Sequence, residues 1–134
     1  MKTLGKVTVA VCLAAILGGV SAAVGENSFA AHLVAFNENL EVFGDLSRRP
    51  TYYIFNPQPL EDALSNMYNA FKEMVKVCET DVEAEVLTGC ALILGACELC
   101  LKGIKSVDTC LVKAGTNLMN MGTEQLEETA QRLQ

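Results

Sequence analysis

The residues of this chain that are best suited to chemistry are five closely spaced cysteines. They are Cys78, Cys90, Cys97, Cys100 and Cys110. Thiols form disulfides, bind zinc or act as nucleophiles, and the choice depends on their spacing and on the redox compartment. The role of these thiols therefore depends on the compartment of the protein and on the elements that position them.

The N-terminal residues have the layout of a secretory signal peptide. Lys2 and Lys6 form a short basic region before an uncharged apolar run at 7–20, and small residues follow at 21–23. This arrangement is typical of a cleaved export signal, so we predict a signal peptide at 1–23. The apolar run is shorter than the roughly 20 residues that a spanning helix needs, which disfavours an N-terminal membrane anchor.

Cleavage would leave one secreted, extracellular domain at 24–134, the size of an ordinary single domain. It would also remove Cys12, so that five of the six cysteines remain, in an oxidising compartment. Because five is odd, at least one thiol is left free or is bonded to another chain. A disulfide-linked or non-covalent dimer is one expected consequence.

The charge of the mature chain argues against several classes of partner. Lys2 and Lys6 leave with the signal, so eight of the ten basic residues remain beside sixteen acidic ones, a net charge of −8. Nucleic acids and anionic membrane surfaces both attract clusters of Lys or Arg. We therefore expect no nucleic-acid partner.

Apolar residues recur at steps of three and four along four segments, which is the pattern of amphipathic helices. We expect helices near 28–43, 60–78, 82–102 and 107–121, with a helical or fraying tail to 134. The stripe expected to be buried in the fourth helix consists of Val107, Leu111, Ala114, Leu118 and Met121. Since the connections are short, the predicted fold class is all-α, a small antiparallel four-helix bundle stapled by disulfides.

The third segment is apolar on nearly all sides. Only Thr88, Glu98 and Lys102 are polar between Val86 and Ile104. Such a helix is either buried or embedded in a membrane. A charge at the centre of a spanning helix costs roughly 3 kcal/mol. We therefore predict a central buried helix and no membrane span in the mature chain.

Helix geometry limits how the cysteines pair. Cys90 and Cys97 are separated by about 10.5 Å along one helix axis, whereas a disulfide needs Cα atoms within about 7 Å. If the chain reverses near 103–106, Cys110 comes opposite Cys97 or Cys100. One bridge from that pair to Cys110 is the staple that we expect.

The remaining two cysteines are harder to place. A bond between Cys78 and Cys90 requires a late or bent start of the third helix, and this pairing stays open. Cys78 and Cys90 are therefore the first residues in which we expect an unpaired thiol.

Catalytic and metal-binding roles for the cysteines are less favoured by the pattern. Cys97 and Cys100 have the C-x-x-C spacing of redox motifs, but those motifs lie at a helix N-terminus beside a strand, and this pair lies mid-helix. Zinc prefers two such pairs or a Cys/His set. The single histidine, His32, is expected to be a bystander on the first helix. We therefore expect no enzyme, with no catalytic, cofactor-binding or metal-binding residues.

The linker between the first two helices carries large apolar groups. Tyr52, Tyr53 and Phe55 are costly to leave in water. The simpler expectation is a strap packed across the bundle, and the alternative is a ligand pocket or an exposed recognition surface. Met67 and Met74 belong to the same candidate surface, because flexible methionines suit a lipid-like ligand.

The cysteine segment has a spacing that can be compared with known families. Cys78 is followed by Cys90-x6-Cys97, by x12 to Cys110, and by Ala114-x2-Asn117-x-Met119. This stretch, roughly 67–133, resembles the insect secreted domain family named after the tsetse midgut EP protein. The resemblance implies a helical, cysteine-containing protein that follows a signal peptide and is associated with gut and other secretory tissues. It implies no catalytic residue, since the family has no established activity.

Two functions fit these features. The first is a secreted, non-enzymatic helical protein that acts as an extracellular interaction or structural module. The alternative is a carrier that binds a small hydrophobic ligand between its helices. The sequence favours the first, because no polar anchor group is evident in the apolar interior.

Overall fold

The computed structural model describes residue 13, residues 27–49 and residues 55–133 of the chain. Four helices account for most of them: α1 at Phe29–Ser47, α2 at Gln58–Val77, α3 at Asp81–Ser106 and α4 at Thr109–Leu133. No strand occurs in these ranges. The predicted all-α fold class is therefore confirmed. The predicted signal peptide lies outside the described residues, except for Leu13.

Polar side chains fix where three of the helices begin. Ser28 caps α1 by accepting a hydrogen bond from a backbone N–H in its first turn, and Thr80 forms a capping box with Glu83 at the start of α3. Asp108 accepts hydrogen bonds from two backbone N–H groups at the start of α4. Each cap satisfies donors that the helix itself leaves unpaired, and is worth about 1 kcal/mol.

The helix ends differ from the predicted bounds. α1 and α3 continue one turn further than predicted, to Ser47 and Ser106, whereas α4 continues through Gly122 to Leu133, in agreement with the helical tail that was expected there. Gly103 does not end α3, because its missing side chain is used for close packing rather than for a turn. Helix ends are the least certain part of a prediction from apolar spacing, since the last turn often lies beyond the buried stripe.

The hydrophobic core is formed mainly by large side chains of α1, α2 and α3, which recur at helical spacing. The largest fully buried side chains include Leu33, Phe36, Leu60, Met67, Met74, Val86, Ile93 and also Leu13. Each such side chain contributes roughly 1.5–3 kcal/mol by leaving water. The core therefore lies mainly between the first three helices, and it also includes Leu126 and Ala130 of α4 and Leu13 of the predicted signal peptide.

The four helices form two pairs. α1 packs against α2, and α3 packs against α4 in the most extensive contact among the described helices. α2 joins the pairs through α3, where Lys105 Nζ lies 2.8 Å from Glu61 Oε1 and the Tyr68 hydroxyl donates to Glu98. These two contacts show that α2 and α3 run antiparallel. Among the described helices, α4 contacts mainly α3.

Small residues bring α3 and α4 unusually close. Gly89, Ala96 and Gly103 on α3 recur every seven residues, as do Gly115 and Gly122 on α4. A Cβ added to Gly122 would lie 2.9 Å from the Gly89 carbonyl oxygen, and one added to Gly115 would lie 2.8 Å from the Ala96 carbonyl oxygen. These distances leave no room for a side chain. The two helix backbones are therefore in direct contact.

The predicted buried stripe of α4 is wrong. Three of its five residues, Val107, Ala114 and Met121, are exposed, and Leu111 and Leu118 are only half-buried. α4 buries its small-residue side against α3 instead. The physical reason is that small residues let the backbones approach, and close packing over a long seam gains many dispersion contacts at once.

α3 ends in a strained turn. The Val107 N–H bonds to the Ile104 carbonyl at 3.3 Å and the Asp108 N–H bonds to the Gly103 carbonyl at 2.8 Å, which is the pairing of a Schellman motif. Val107 has φ 54° and ψ 46°, a left-handed conformation that costs a β-branched residue about 1–2 kcal/mol. The turn places Asp108 directly at the cap of α4, so the α3–α4 hairpin is tight.

Candidate functional site

A second apolar surface lies on the outer side of the α3–α4 pair. We call it the outer face, and it consists of Ala91, Leu92, Gly95, Leu99, Leu111, Ala114, Leu118 and Met121. These residues are half-buried or exposed, and none belongs to the core cluster. A Cβ added to Gly95 would lie 3.1 Å from Leu118, so residues of both helices form one surface.

Helix geometry shows why the outer face is separate from the core. Cys97 of α3 is buried in the core, and Leu99 stands two residues later. At 100° per residue, Leu99 points about 160° away from Cys97, on the opposite side of the helix. Cys90 and Leu92 repeat the same relation one heptad earlier. α3 therefore has two apolar faces.

Large apolar groups are left in water at this surface. Met121 is 56 % exposed, and Val107, at the edge of the outer face, is 67 % exposed. By length and composition, α3 is able to cross a membrane, a test that core helices also pass, and 44 % of its most apolar stretch is buried. The four outer-face residues of α3 are not among its buried residues.

The buried cysteines are poor nucleophiles. Burial raises the pKa of the Cys90 thiol to about 12. Burial, followed by the nearby Cys100 and Glu98, raises the pKa of Cys97 still further, and burial also raises that of Cys100. A catalytic or redox-active thiol needs a lowered pKa so that the thiolate is present at neutral pH. The C-x-x-C pair is therefore in surroundings that suppress thiolate chemistry.

The predicted staple from Cys97 or Cys100 to Cys110 is not formed in this structure, where all three are free thiols. Gly115 marks the side of α4 that faces α3, and Cys110 lies about 140° around the helix from it. Cys110 is accordingly exposed. The Cys100 Sγ instead lies 3.9 Å from the Val112 carbonyl oxygen. The rotation of α4 onto its small residues is the reason for the difference.

Cys78 and Cys90 are free thiols as well. Cys78 lies at the C-cap of α2, half-buried, with its Sγ 3.8 Å from the Thr80 carbonyl oxygen. Because α3 begins at Asp81, Cys90 lies about 13 Å further along that helix. The late helix start that a bond between them requires does not occur.

An open groove of about 570 Å³ runs beside the C-terminal half of α3. Its described lining consists of Leu64 from α2 and of Glu98, Leu99, Leu101, Lys102, Lys105 and Ser106 from α3. The groove shares Leu99 with the outer face. It combines an apolar wall with charged groups at its edge.

Two of the three charged groups of the groove have partners. Lys105 pairs with Glu61 at 2.8 Å, and Glu98 accepts the Tyr68 hydroxyl hydrogen bond. The hydrogen bond to Glu98, together with partial burial, raises the pKa of Tyr68 to about 12. Lys102 is exposed and takes no part in the ion pairs of the described residues.

The structure describes three of the five predicted recognition residues. Tyr52 and Tyr53 lie outside the described residues. Phe55 is 90 % exposed, which does not match a packed strap at that position, whereas Met67 and Met74 are fully buried in the core. Met67 and Met74 are therefore not part of an exposed surface in this structure, and a ligand or recognition role for the five residues stays a prediction.

A polar group in the core was missed by the sequence analysis. Asn37 is buried on α1, and its Oδ1 has no hydrogen-bond partner among the described residues. Leaving such an acceptor unsatisfied costs about 1–3 kcal/mol, so a donor from water or a ligand would be stabilising. The sequence contained a signal, because Asn37 follows Leu33 by four residues and so shares its buried side of α1.

The other polar candidates are not assembled into a site. Among residues 27–49 and 55–133, no group of three or more His, Cys, Asp or Glu side chains is placed to hold a metal ion. His32 Nε2 lies 3.0 Å from Asn27 Oδ1 near the start of α1. These positions leave the outer face, the exposed thiol of Cys110 and the groove as the candidate functional features.

No protein-family model, curated protein or solved structure matches the chain. The resemblance to the tsetse midgut EP family, which rests on cysteine spacing, stays a prediction. The function therefore has to be argued from the geometry of this chain.

Proposed function

We propose that the chain is a secreted, non-enzymatic helical protein that acts as an extracellular interaction module through its outer face. The observation that carries the proposal is the outer face itself, a contiguous apolar surface of two helices that the core does not use. Contiguous exposed apolar patches on soluble domains mark interaction sites. Secretion is inferred from the signal-peptide layout at 1–23, and an interaction role is consistent with the expected absence of enzymatic activity.

The partner that we propose first is a second copy of the chain. A two-fold contact needs only one self-complementary surface, and the outer face contains no charged side chain. The net charge of −6, or −8 for the mature chain, disfavours an anionic membrane as the occupant. Lys102 and Glu124 are exposed near opposite ends of this surface, so the apolar centre has a charged rim, as protein interfaces do.

An exposed free cysteine also supports a second copy of the chain as the partner. Cys110 is exposed and precedes Leu111 of the outer face. We propose it, rather than an intrachain staple, as the cysteine of a disulfide-linked dimer. Two Cys110 thiols would form one S–S bond, losing two protons and two electrons to a small-molecule disulfide that is reduced to two thiols.

The test is the mass of the secreted protein in solution, measured by light scattering after size exclusion at several concentrations under reducing conditions. Met121→Glu places a charge on the outer face and is expected to shift a dimer to monomer. Val75→Glu on α2 is the matched control, because Val75 is 51 % exposed and lies off the outer face. A wild-type monomer at every concentration, or equal effects of both variants, would contradict the proposal.

The covalent part of the proposal has its own measurement. The intact mass of the non-reduced wild type is expected to be that of a disulfide-linked dimer, and Cys110→Ser is expected to give only the single-chain mass. A dimer mass that persists in Cys110→Ser would assign the bond to another cysteine.

The carrier of a small hydrophobic ligand is a second candidate function. The groove of about 570 Å³ favours it, since ligand sites commonly span about 300–1,000 Å³. The unsatisfied Asn37 Oδ1 is a separate polar group in the interior, which the sequence alone did not reveal. Retention of an apolar probe by the secreted protein would support this candidate.

A further inference from the structure

The groove beside α3 has the features of a site for an elongated apolar group. Leu64, Leu99 and Leu101 contribute its apolar wall, and they come from two different helices. The groove is partly open to solvent. Its volume of about 570 Å³ lies within the usual range for small ligands.

The charges at the groove differ from those of the chain as a whole. The chain has a net charge of −6, whereas the described lining has two lysines and one glutamate, a net charge of +1. Lys105 is paired with Glu61, and Glu98 is held by Tyr68. Among the described residues of the groove, Lys102 is therefore the cation that is left to bind an anion from outside the chain.

Taken together, a leucine wall and one unpaired ammonium group define the chemistry of the ligand. We infer that the groove binds a long-chain amphipathic monoanion of the fatty-acid class, with its alkyl chain on Leu64, Leu99 and Leu101 and its carboxylate at Lys102. Lys102 is exposed and belongs to the groove lining, and long charged side chains commonly lay their stem on apolar surface while the charged end stays in water. This inference rests on the carrier function and adds the ligand class and the residue that selects it.

A matched pair of ligands separates the inference from the carrier function. Hexadecanoate and hexadecan-1-ol have the same chain length, and only the first carries a charge. Equilibrium dialysis of the full secreted chain against each, below its solubility limit, gives the two dissociation constants. We expect the acid to bind about tenfold more tightly, since hydrogen bonds to a charged group are roughly twice as strong as neutral ones.

Variants at two lysines then test the role of Lys102. Lys102→Gln is expected to weaken hexadecanoate binding about tenfold and to leave hexadecan-1-ol unchanged. Lys113→Gln is the control, because Lys113 is equally exposed but lies on α4, outside the groove lining. Since both lysines are exposed, neither substitution is expected to affect folding.

Each result supports or overturns a stated part of the argument. Equal binding of acid and alcohol, or an acid preference that Lys102→Gln does not reduce, would overturn the inference and leave the carrier function standing. Binding of neither ligand would overturn both. An equal loss in Lys102→Gln and Lys113→Gln would show a general charge effect and would also overturn the assignment to Lys102.

Discussion

The two halves of the molecule use different residues to hold their helices together. α1 and α2 face the core with large apolar side chains such as Phe36 and Met67, which are almost fully buried. α3 and α4 meet through glycine and alanine, with Gly115 and Gly122 against the backbone of α3. The first arrangement gains stability from burial of area, and the second from close approach of backbones.

This difference explains where the candidate functional surface comes from. In α1 and α2, most of the large apolar residues are buried in the core. In α3 and α4 the seam is made by small residues, so leucines beside the seam, such as Leu99 and Leu118, are turned outward. A helix pair joined by small residues therefore keeps large apolar side chains available for a partner or a ligand.

The largest expected effect tests the large-residue half. Phe36→Ala removes a side chain that is 1 % exposed, and we expect the free energy of unfolding to fall by about 3–5 kcal/mol because a cavity is left. Urea denaturation under reducing conditions measures the change. Phe55→Ala is the matched control, since Phe55 is exposed, and it is expected to change the free energy of unfolding by less than about 0.5 kcal/mol.

A smaller effect is expected in the small-residue half. Gly115→Ala places a Cβ 2.6 Å from Cys100 Sγ and 2.8 Å from the Ala96 carbonyl oxygen, so α3 and α4 must separate. We expect a loss of about 1–3 kcal/mol, as for overpacked cores. Gly44→Ala is the control, because nothing lies within 4 Å of the added Cβ in α1.

The control, Gly44→Ala, is expected to change the free energy of unfolding in the opposite direction. Alanine is favoured over glycine inside a helix by about 1 kcal/mol, so Gly44→Ala should raise the free energy of unfolding. If both substitutions stabilise the protein, the α3–α4 seam is not in the close contact described, and the comparison between the two halves fails.

Much of the fold follows from the sequence, because apolar spacing and caps act locally. The helical steps of residues such as Leu33 and Phe36 predict which side of α1 is buried. Thr80 and Asp108 cap the starts of α3 and α4, since their side chains satisfy neighbouring backbone donors. These features depend only on residues within a turn or two along the chain.

The face of α4 and the disulfides could not be obtained in the same way. The apolar stripe of α4 predicts the wrong buried side, because a seam of small residues has little apolar area to detect in a sequence. Because α4 packs against α3 through Gly115 and Gly122, Cys110 points away from α3 and the expected disulfide is not formed. Heptad-spaced glycines, Gly115 and Gly122 on α4 with Gly89 and Gly103 on α3, were the signal in the sequence.

The pH dependence of stability tests the core side of α3, because it depends on the pKa of the buried Cys90 thiol. The Cys90 pKa is raised to about 12 in the folded chain, above its ordinary value of 9.0. Below pH 9 the thiol is protonated in both states, so its contribution is fully present. Between about pH 9 and 12 only the unfolded chain loses the proton, so stability falls by about 1.4 kcal/mol per pH unit.

Urea titrations under reducing conditions at pH 8, 9, 10 and 11 measure this slope. Cys90→Ala is expected to reduce the slope by about 1.4 kcal/mol per pH unit, although it lowers stability at pH 8. Cys110→Ala is the control, because Cys110 is exposed. An unchanged slope in Cys90→Ala would mean that the core side of α3 admits water.

The smallest effect concerns the strained turn between α3 and α4. Val107 holds a left-handed backbone conformation that glycine adopts freely, and its side chain is mostly exposed. Val107→Gly should therefore raise the free energy of unfolding of the monomer by about 1 kcal/mol, the strain relieved exceeding the entropy that glycine adds to the unfolded chain. Val42→Gly, at an exposed position inside α1, should instead lower it by about 1 kcal/mol.

The same substitution separates a structural role of Val107 from a functional one. If Val107 only closes the turn, Val107→Gly should stabilise the monomer and leave self-association unchanged. If Val107 extends the outer face, Val107→Gly should weaken self-association while the monomer becomes more stable, two changes of opposite sign in one variant. Sedimentation equilibrium beside urea denaturation measures both. Stronger or unchanged association would exclude Val107 from the interface and confine the interface to the eight residues of the outer face.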